Sequence, residues 1–229
     1  MIIRDLGLID FTDALALQER LAAGVADGTE PETLLLLEHP PVYTIGSGGN
    51  LGNVLDPAIE VIRTSRGGDV TWHGPGQLVG YPIVDLGRRG RDLHRWLRFL
   101  EEVLIRVTAA YGVSARRVPG KTGVWTDSGK IAAIGVGVRR WVTMHGCALN
   151  VTPDLAAFTA INPCGFPACP VTSLARESGQ WIEMAEVKSR TAATFLALLD
   201  SRLPLAAVPP QNAFPLTRKG GLRPCPQMI

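Results

Sequence analysis

Apolar residues along this chain follow two different periods, and they predict both helices and strands. A helical period begins near Thr12 and continues to Val25. The clearest helix runs from an N-cap at Asp92 to a stop at Gly112. Its apolar side chains share one face: Leu93, Trp96, Leu97, Leu100, Leu104, Val107 and Tyr111. Such a stripe packs on a core, so we assign it no chemistry. A last helix is predicted over residues 184–203.

Short apolar runs bounded by turn residues predict strands. They cover residues 33–37, 42–45, 60–64, 77–85, 113–118, 123–126, 130–138 and 141–151. The polar triplet Asp127-Ser128-Gly129 predicts a hairpin turn. With no internal repeat and no linker, residues 1–203 are predicted to form one mixed α/β domain. Six prolines fall within residues 204–229, which predicts an extended tail.

Composition narrows the class of protein. With 229 residues, 46% of them hydrophobic and 19% charged, the chain suits a soluble globular protein with one sizeable core. No run of about 18 uncharged apolar residues occurs, and acidic residues come too early for a secretory signal. We therefore expect a cytoplasmic protein with no membrane segment. A net charge of +2 does not favour nucleic-acid binding.

Cysteines and arginines are unevenly distributed. The cysteines are too few in so long a chain for a disulfide-built scaffold: Cys147, Cys164, Cys169 and Cys225. The arginines cluster in two places: Arg88, Arg89, Arg91, Arg95 and Arg98, and then Arg139 with Arg140. Such clusters are typical of a solvated surface, and they also suit the docking of an acidic partner.

The segment richest in glycine and proline is the first candidate for a ligand site. Residues 66–82 read RGGDVTWHGPGQLVGYP. Glycine permits close backbone approach to a ligand, although glycine and proline also mark ordinary turns. Arg66-Gly67-Gly68 could cradle a phosphate. However, neither the order of a P-loop nor that of a dinucleotide-binding loop is present.

Cys164 and Lys130 are the candidate catalytic pair. Cys164 follows Pro163 and precedes Gly165, a loop arrangement that can present the thiol and leave an amide free for an oxyanion. A nucleophilic thiolate needs a nearby cation or base. Lys130 opens an apolar strand directly after a turn, which makes it the best candidate base. A buried cysteine and a solvated lysine remain the simpler alternatives.

The histidines are less informative. His73 lies inside the glycine-rich segment and is a candidate pocket residue. His145 precedes Gly146, where the missing side chain would give a ligand room. A zinc site built from His145, Cys147, Cys164 and Cys169 is a further alternative, although the spacing does not match that of common zinc modules. His39 and His94 are given no role.

With these residues assembled, the chain resembles the bacterial lipoyl(octanoyl) transferase family over about residues 3–203. The matching segments occur in the family's order: LLLLEHP at 34–40, RGGDVTWHGPGQLVGYP at 66–82, GVW at 123–125, KIAAIG at 130–135, HG at 145–146, ALN at 148–150, PCG at 163–165 and VTSL at 171–174. The resemblance implies an α/β (α+β) fold, with a mixed β-sheet flanked by helices like that of biotin and lipoate protein ligases.

The resemblance also implies an activity and its partners. Members of the family move an octanoyl group from acyl carrier protein to a lysine of lipoyl domains, by a ping-pong route without ATP, metal or other cofactor. The implied acceptors are the lipoyl domains of 2-oxoacid dehydrogenase E2 subunits and the glycine cleavage H protein. Three alternatives remain: an ATP-dependent lipoate ligase of the same fold, a catalytically silent acyl- or carrier-binding module, and a zinc-binding structural protein.

The resemblance also implies roles for individual residues of this chain, according to their positions in the matching segments. The acyl-thioester cysteine of the family corresponds to Cys164, and the lysine that lowers its pKa corresponds to Lys130. The implied substrate contacts lie in three segments: Arg66, Gly67, Gly68, Asp69, Val70, Thr71, Trp72 and His73; Ala133, Ile134 and Gly135; and His145, Gly146 and Cys147. Trp72 stands where tyrosine is common in the family. Cys147 stands where a larger apolar residue is usual, which predicts a slightly roomier acyl pocket.

Overall fold

Residues 1–205 are described by the structure, a computed structural model. Cys225 and nearly all of the predicted tail at 204–229 lie outside the described residues. In chain order the elements are β1 (Ile2–Leu8), α1 (Phe11–Asp27), β2 (Thr33–Glu38), β3 (Val42–Ile45), β4 (Val61–Arg63), β5 (Thr71–His73), β6 (Gln77–Ile83), α2 (Leu93–Ala109), β7 (Arg116–Val118), β8 (Lys121–Trp125), β9 (Lys130–Arg139), β10 (Val142–Asn150), α3 (Leu174–Ser178) and α4 (Met184–Arg202).

Two sheets organise these elements. The larger sheet has seven strands in the order β1-β2-β6-β10-β9-β8-β7, and only its β1–β2 pair is parallel. The smaller sheet has the order β4-β3-β5 and combines one parallel pair with one antiparallel pair. The predicted mixed sheet flanked by helices is therefore confirmed, and the separate small sheet is an addition that the sequence did not predict.

Helices cover both faces of the larger sheet. Because side chains alternate along a strand, β2 divides its leucines between the two faces. Leu34 and Leu36 join the core beneath α2 and α4, whereas Leu35 and Leu37 join the core beneath α1. Burial on both faces explains why β2 is a continuous apolar run in the sequence.

The helix boundaries follow their capping residues. The carboxylate of Asp10 accepts the Thr12 amide ahead of α1, and that of Asp92 accepts the Arg95 amide ahead of α2. The predicted N-cap at Asp92 is thus confirmed. Among residues 1–205, no helix is both long enough and apolar enough to cross a membrane.

Several predicted boundaries differ from the structure. Strands β1 and β5 were not predicted, and the strand expected at 113–118 is limited to Arg116–Val118. Arg89, expected at the surface with its neighbours, is buried instead. Its guanidinium lies 2.7 Å from Glu32 and 2.9 Å from Asp200, and it also donates to the Leu203 carbonyl, so it joins β2 to the end of α4.

Candidate active site

The start of β9 and the loop after residue 162 bring the two predicted catalytic residues together. Lys130 Nζ donates a hydrogen bond to Cys164 Sγ over 2.8 Å. Only 4% of Lys130 is exposed, so it is not the solvated lysine of a hairpin tip. The backbone of Lys130 is held by Val171 in an isolated bridge, which fixes the base of its side chain.

Cys164 stands in a short helical turn, Pro163–Gly165, with an uncommon backbone conformation. Its φ of 58° and ψ of 23° place a non-glycine residue in the left-handed region, where backbone strain is typical of functional sites. Its amide donates to the Val70 carbonyl over 3.0 Å. A methyl group on Gly165 would lie 3.0 Å from Asp69 Oδ2, so the turn packs directly on the glycine-rich segment.

The expected free amide beside the cysteine is absent. The amides of Cys164, Gly165 and Phe166 donate to the carbonyls of Val70, Asn162 and Pro163, over 3.0, 3.0 and 3.2 Å respectively. The prediction failed because the tight turn uses the amides of Gly165 and Phe166 internally, while the Cys164 amide bonds to the glycine-rich segment. An oxyanion at this site must therefore be stabilised by other groups.

Gly123 and Trp125 position the Lys130 side chain. The ammonium lies 5.3 Å from the centre of the Trp125 ring, within cation–π range. Gly123 has a φ of 116°, and a methyl group there would lie 2.7 Å from Lys130 Cε. Lys121, which is exposed, brings a second ammonium to 5.2 Å from the Trp125 ring and 5.1 Å from the Phe166 ring.

Cys164 borders a cavity between the two sheets and α1. Its empty space is about 490 Å³, including the part that is open to solvent. The lining residues are Phe11, Arg66, Gly68, Asp69, Thr71, His73, Val79, Tyr81, Ala133, Ile134, Gly135, His145, Gly146, Cys147, Ala148 and Cys164. Most predicted substrate contacts are thus brought together here, together with Phe11, Val79, Tyr81 and Ala148, which were not predicted.

Three predicted contact residues support the wall without lining it. Gly67 donates its amide to the Val136 carbonyl over 2.8 Å, and Val70 accepts the amide of Cys164. The Trp72 ring meets Phe158 edge-on at 5.4 Å within the core of the small sheet. Lys130 instead borders the adjoining space on the other side of Cys164.

Arg66 organises the glycine-rich loop and does not form a phosphate cradle. Its guanidinium donates to the carbonyls of Thr44, Gly67 and Asp69 over 2.9, 3.1 and 2.9 Å, and also to Thr44 Oγ1. Burial lowers the pKa of Arg66. A methyl group on Gly135 would lie 3.1 Å from Arg66 Cδ, so this glycine gives the arginine room to pack.

Gly146 makes room for protein rather than for ligand. A methyl group there would clash with the Gly80 carbonyl of β6 and lie 2.6 Å from Pro82 Cδ. The expectation that its missing side chain gives a ligand room is therefore wrong, because the neighbouring strand fills that space.

Three titratable side chains of the cavity wall, apart from Arg66 and Asp69, are held uncharged. Burial lowers the pKa of His73 to about 3, and its Nδ1 lies 2.7 Å from Gln77 Oε1. Burial, with a smaller effect from Arg66, lowers the pKa of His145 to about 4. Burial raises the pKa of Cys147 to about 12. At neutral pH the two imidazoles and the thiol are therefore uncharged, which suits an uncharged ligand.

His145 depends on a residue that the sequence did not predict. Its φ of 55° breaks the regular course of β10, and its amide donates to Gln18 Oε1 of α1 over 2.7 Å. Its Nε2 lies 3.2 Å from Ser65 Oγ. A polar residue on the apolar face of α1 was the available signal for Gln18. Within residues 1–205, no three His, Cys, Asp or Glu side chains form a group that could hold a metal ion.

The arrangement favours acyl transfer. A thiol that contacts an ammonium has its thiolate form stabilised, and the thiolate is the nucleophile of cysteine chemistry. The adjoining cavity is mostly buried and, apart from Arg66 and Asp69, lined by uncharged side chains, so it can hold a linear apolar group.

Comparison with known proteins agrees with this chemistry. The family model described as the lipoyl protein ligase A/B catalytic domain matches residues 10–196. The octanoyltransferase of Geobacter metallireducens is 68% identical over 204 residues, covering 89% of this chain and 96% of that protein. The octanoyltransferase of Geotalea uraniireducens is 67% identical, covering 90% and 96%.

Solved structures show the same fold at low identity. A bipartite lipoate protein ligase of Thermoplasma acidophilum aligns with a TM-score of 0.61 and 18% identity, covering 89% of this chain and 84% of that one. The biotin protein ligase of Aquifex aeolicus aligns with a TM-score of 0.56 and 12% identity, covering 88% and 72%. On the strength of the family match and the close relatives, the chain belongs to the lipoyl protein ligase A/B catalytic domain family, among its octanoyltransferases.

Proposed function

We propose that octanoyl transfer by this chain runs through a thioester on Cys164, with acyl carrier protein as donor and a lysine of a lipoyl domain as acceptor. One observation carries the proposal: Lys130 Nζ lies 2.8 Å from Cys164 Sγ, at the edge of an apolar cavity. Transfer from one thioester to another needs little free energy, and transfer from thioester to amide is downhill, so neither step requires ATP.

In the first half-reaction the Cys164 thiolate attacks the octanoyl thioester carbonyl. The bond from Sγ to the carbonyl carbon forms, the bond to the donor sulfur breaks, and the donor leaves as a thiolate that takes a proton from the Lys130 ammonium or from solvent. We assign stabilisation of the oxyanion to the same ammonium, since it contacts Sγ and the three amides around Cys164 are already paired. The octanoyl chain occupies the cavity.

In the second half-reaction the ε-amine of the acceptor lysine attacks the acyl-enzyme. Its nitrogen bonds to the carbonyl carbon, Cys164 leaves as the thiolate, and the amine proton passes to a base. Once it has given its proton to the donor thiolate, Lys130 is neutral, and it is the base in this proposal. His73 suits that role poorly, because burial lowers its pKa to about 3 and makes it a weak acceptor at neutral pH.

The proposed acceptors are the lipoyl domains of 2-oxoacid dehydrogenase E2 subunits and the glycine cleavage H protein, reached in the cytoplasm. The structurally similar ligase of Thermoplasma acidophilum was described with its own E2 lipoyl domain, which supports this class of acceptor. Either acceptor is compatible with the cavity, with Cys164 and with Lys130. Surfaces outside the cavity therefore determine which acceptor binds.

The test is the intact mass of the protein after mixing with octanoyl-acyl carrier protein, without ATP. We expect the wild type to gain one octanoyl group and Cys164→Ala to gain none. Cys169→Ala is the matched control, since this thiol is near the site but forms only a long 3.8 Å contact with the Pro170 carbonyl. It should acylate like the wild type.

A wild type that stays unmodified when fresh and reduced would overturn the covalent route. Octanoylation of a lipoyl domain by free octanoate and ATP would then identify an ATP-dependent ligase of the same fold. No transfer under either condition would indicate a silent binding module.

A further inference from the structure

The strand register shows which residues lie at the two ends of the cavity. Ala133 of β9 lines the cavity and also borders the adjoining space, where Lys130 and Cys164 meet. Three residues further along β9, Val136 pairs with His145 of β10. Three residues of strand span about 10 Å, which is close to the length of an extended octanoyl chain. Cys164 therefore lies at one end of the cavity and His145 at the other.

A loop covers the sheet at the His145 end. The Gly67 amide donates to the Val136 carbonyl over 2.8 Å. A methyl group on Gly135 would lie 3.1 Å from the Gly67 carbonyl oxygen, and one on Gly137 would lie 3.2 Å from the Ser65 carbonyl oxygen. The loop of residues 65–67 therefore packs directly on β9 from Gly135 to Gly137, where the lining of the cavity ends.

The imidazole of His145 fills the space between this loop and the strands. Its Nε2 lies 3.2 Å from Ser65 Oγ. A methyl group on Gly137 would lie 3.3 Å from its Cδ2, and the Tyr81 ring meets it edge-on with 6.3 Å between ring centres. The ring is thus held from three sides, by the loop, by β9 and by β6. Its position depends on the hydrogen bond with Ser65 as well as on packing.

The wall at this end of the cavity is thin. Only 2% of His145 is exposed, whereas Ser65 is an exposed residue. The cavity therefore ends at the imidazole, and the serine that holds the imidazole belongs to the protein surface. An acyl chain longer than octanoyl would have to displace the ring, because otherwise its carbonyl carbon would no longer reach Cys164 Sγ.

We propose that His145, held in place by Ser65, is the end stop that limits the length of the acyl chain. This inference rests on the proposed function, because it takes the cavity as the site of the acyl chain. His145 contacts the end of the chain and thereby determines specificity. Ser65 is a positioning residue, which acts through the imidazole and does not touch the chain.

The test compares acylation by octanoyl-, decanoyl- and dodecanoyl-acyl carrier protein in the wild type, His145→Ala and Ser65→Ala. Single-turnover measurements of intact mass give the rate for each donor, and the readout is the ratio of the dodecanoyl rate to the octanoyl rate. A variant that is merely damaged loses rate with all donors alike and keeps this ratio. We expect the ratio to rise about tenfold in His145→Ala, the lower end of the discrimination that one methylene gives in a hydrophobic pocket. It should rise less in Ser65→Ala, where the ring remains but is no longer held.

Two further variants test whether the effect belongs to the contact between Ser65 and His145. Ser65→Thr keeps the hydroxyl and should keep the wild-type ratio. Ser47→Ala is the matched control, because Ser47 is an exposed serine whose hydroxyl donates to the same loop, at the Arg66 carbonyl over 3.3 Å. It removes a hydrogen bond of the loop without removing the one to the imidazole, and its ratio should be that of the wild type.

A wild-type ratio in both His145→Ala and Ser65→Ala would overturn the proposal. An equal rise in Ser47→Ala would also overturn it, because the limit would then belong to the loop as a whole. A rise in His145→Ala alone would overturn the role given to Ser65. A wild type that takes dodecanoyl as fast as octanoyl would show that there is no end stop. Failure of the proposed function is distinguishable, because the wild type would then form no adduct with any donor.

Discussion

Gly123 is where a single side chain would interfere most directly with the proposed chemistry. Its φ of 116° is a backbone conformation that L side chains rarely adopt, and its Cα faces the stem of Lys130. A methyl group there would lie 2.6 Å from the Ala132 carbonyl oxygen, 2.7 Å from Lys130 Cε and 3.3 Å from Nζ, so both the neighbouring strand and the lysine stem would have to shift. The lysine is therefore positioned by the absence of a side chain on the neighbouring strand.

We expect Gly123→Ala to slow acylation of Cys164 at least tenfold, because the displaced ammonium no longer contacts Sγ. Single-turnover mass measurements give the acylation rate, and alkylation by iodoacetamide at pH 7 reports thiolate formation without any substrate. Gly120→Ala is the control on the same hairpin: its φ is also positive, at 75°, but a methyl group there meets nothing within 4 Å. Wild-type alkylation of Gly123→Ala would show that the glycine does not position Lys130.

At the residue scale, the sequence predicted the contacting pair Cys164 and Lys130, the proposed reacting groups, better than their surroundings. Cys164 and Lys130 stood out because a loop thiol and a lysine opening an apolar strand are chemically distinctive. The bond between them joins residues 34 positions apart and depends on the packed fold. Phe11 and Tyr81 could not be distinguished from ordinary core residues, since they line the cavity with side chains that any apolar core would use.

At the element scale, amphipathic helices were predictable and short strands were not. The stripe on α2 has the period of a helix, and its burial confirms the prediction. β1 lies at the edge of the larger sheet with most of its residues exposed, so its sequence lacks a buried strand's pattern. β5 has only three residues and lies inside a glycine-rich segment. It is defined by its pairing with β3, and a pairing between distant residues leaves no pattern in the local sequence.

At the element scale, the contact between α1 and β10 contributes to the free energy of unfolding, and this contribution can be measured. Gln18 is fully buried on α1 and accepts the amide of His145, whose left-handed conformation removes that amide from regular strand pairing. In Gln18→Leu the volume is nearly kept, but the buried amide loses its acceptor. Gln18 Nε2 is buried without a partner among the described residues, so its removal offsets part of this cost. We expect the free energy of unfolding to fall by about 1 kcal/mol, as measured by urea denaturation.

Glu19→Leu is the control for this substitution, since the adjacent side chain is exposed and should change stability by no more than about 0.5 kcal/mol. The Gln18→Leu enzyme should also discriminate octanoyl from shorter and longer donors less sharply, because His145 lines the cavity. Unchanged stability together with unchanged chain-length preference would contradict the role given to Gln18.

At the scale of the whole molecule, the cavity is a joint product of both sheets and α1. The larger sheet contributes residues of β6, β9 and β10, the small sheet contributes Thr71 and His73, and α1 contributes Phe11. The Val42–His73 pairing holds β5, and with it Thr71 and His73, against β3. The sequence resemblance located the segments of β5, β6, β9 and β10 but not Phe11, and the convergence of all of them on one cavity is a property of the assembled fold.

Burying neutral histidines at this junction makes the stability of the whole fold depend on pH. The unfolded chain takes up a proton on each histidine near pH 6.5, whereas folded His73 and His145, with pKa values of about 3 and 4, do not. The unfolded state therefore binds more protons below pH 6.5, and the free energy of unfolding falls as the pH falls from there toward 4. His39, whose pKa burial also lowers, contributes with the same sign.

Between pH 6.5 and 4.5 we expect a loss of about 2 kcal/mol for each of His73 and His145, measured by urea denaturation at each pH. Carboxyl groups with lowered pKa, such as Asp5 and Glu102, lose their contribution mainly below this window. His73→Gln should flatten the slope of stability against pH by about one histidine's share, whatever it does to stability at pH 7. Equal stability of the wild type at both pH values would mean that these imidazoles exchange protons freely with solvent, and the neutral state assigned to them in the cavity wall would have to be abandoned.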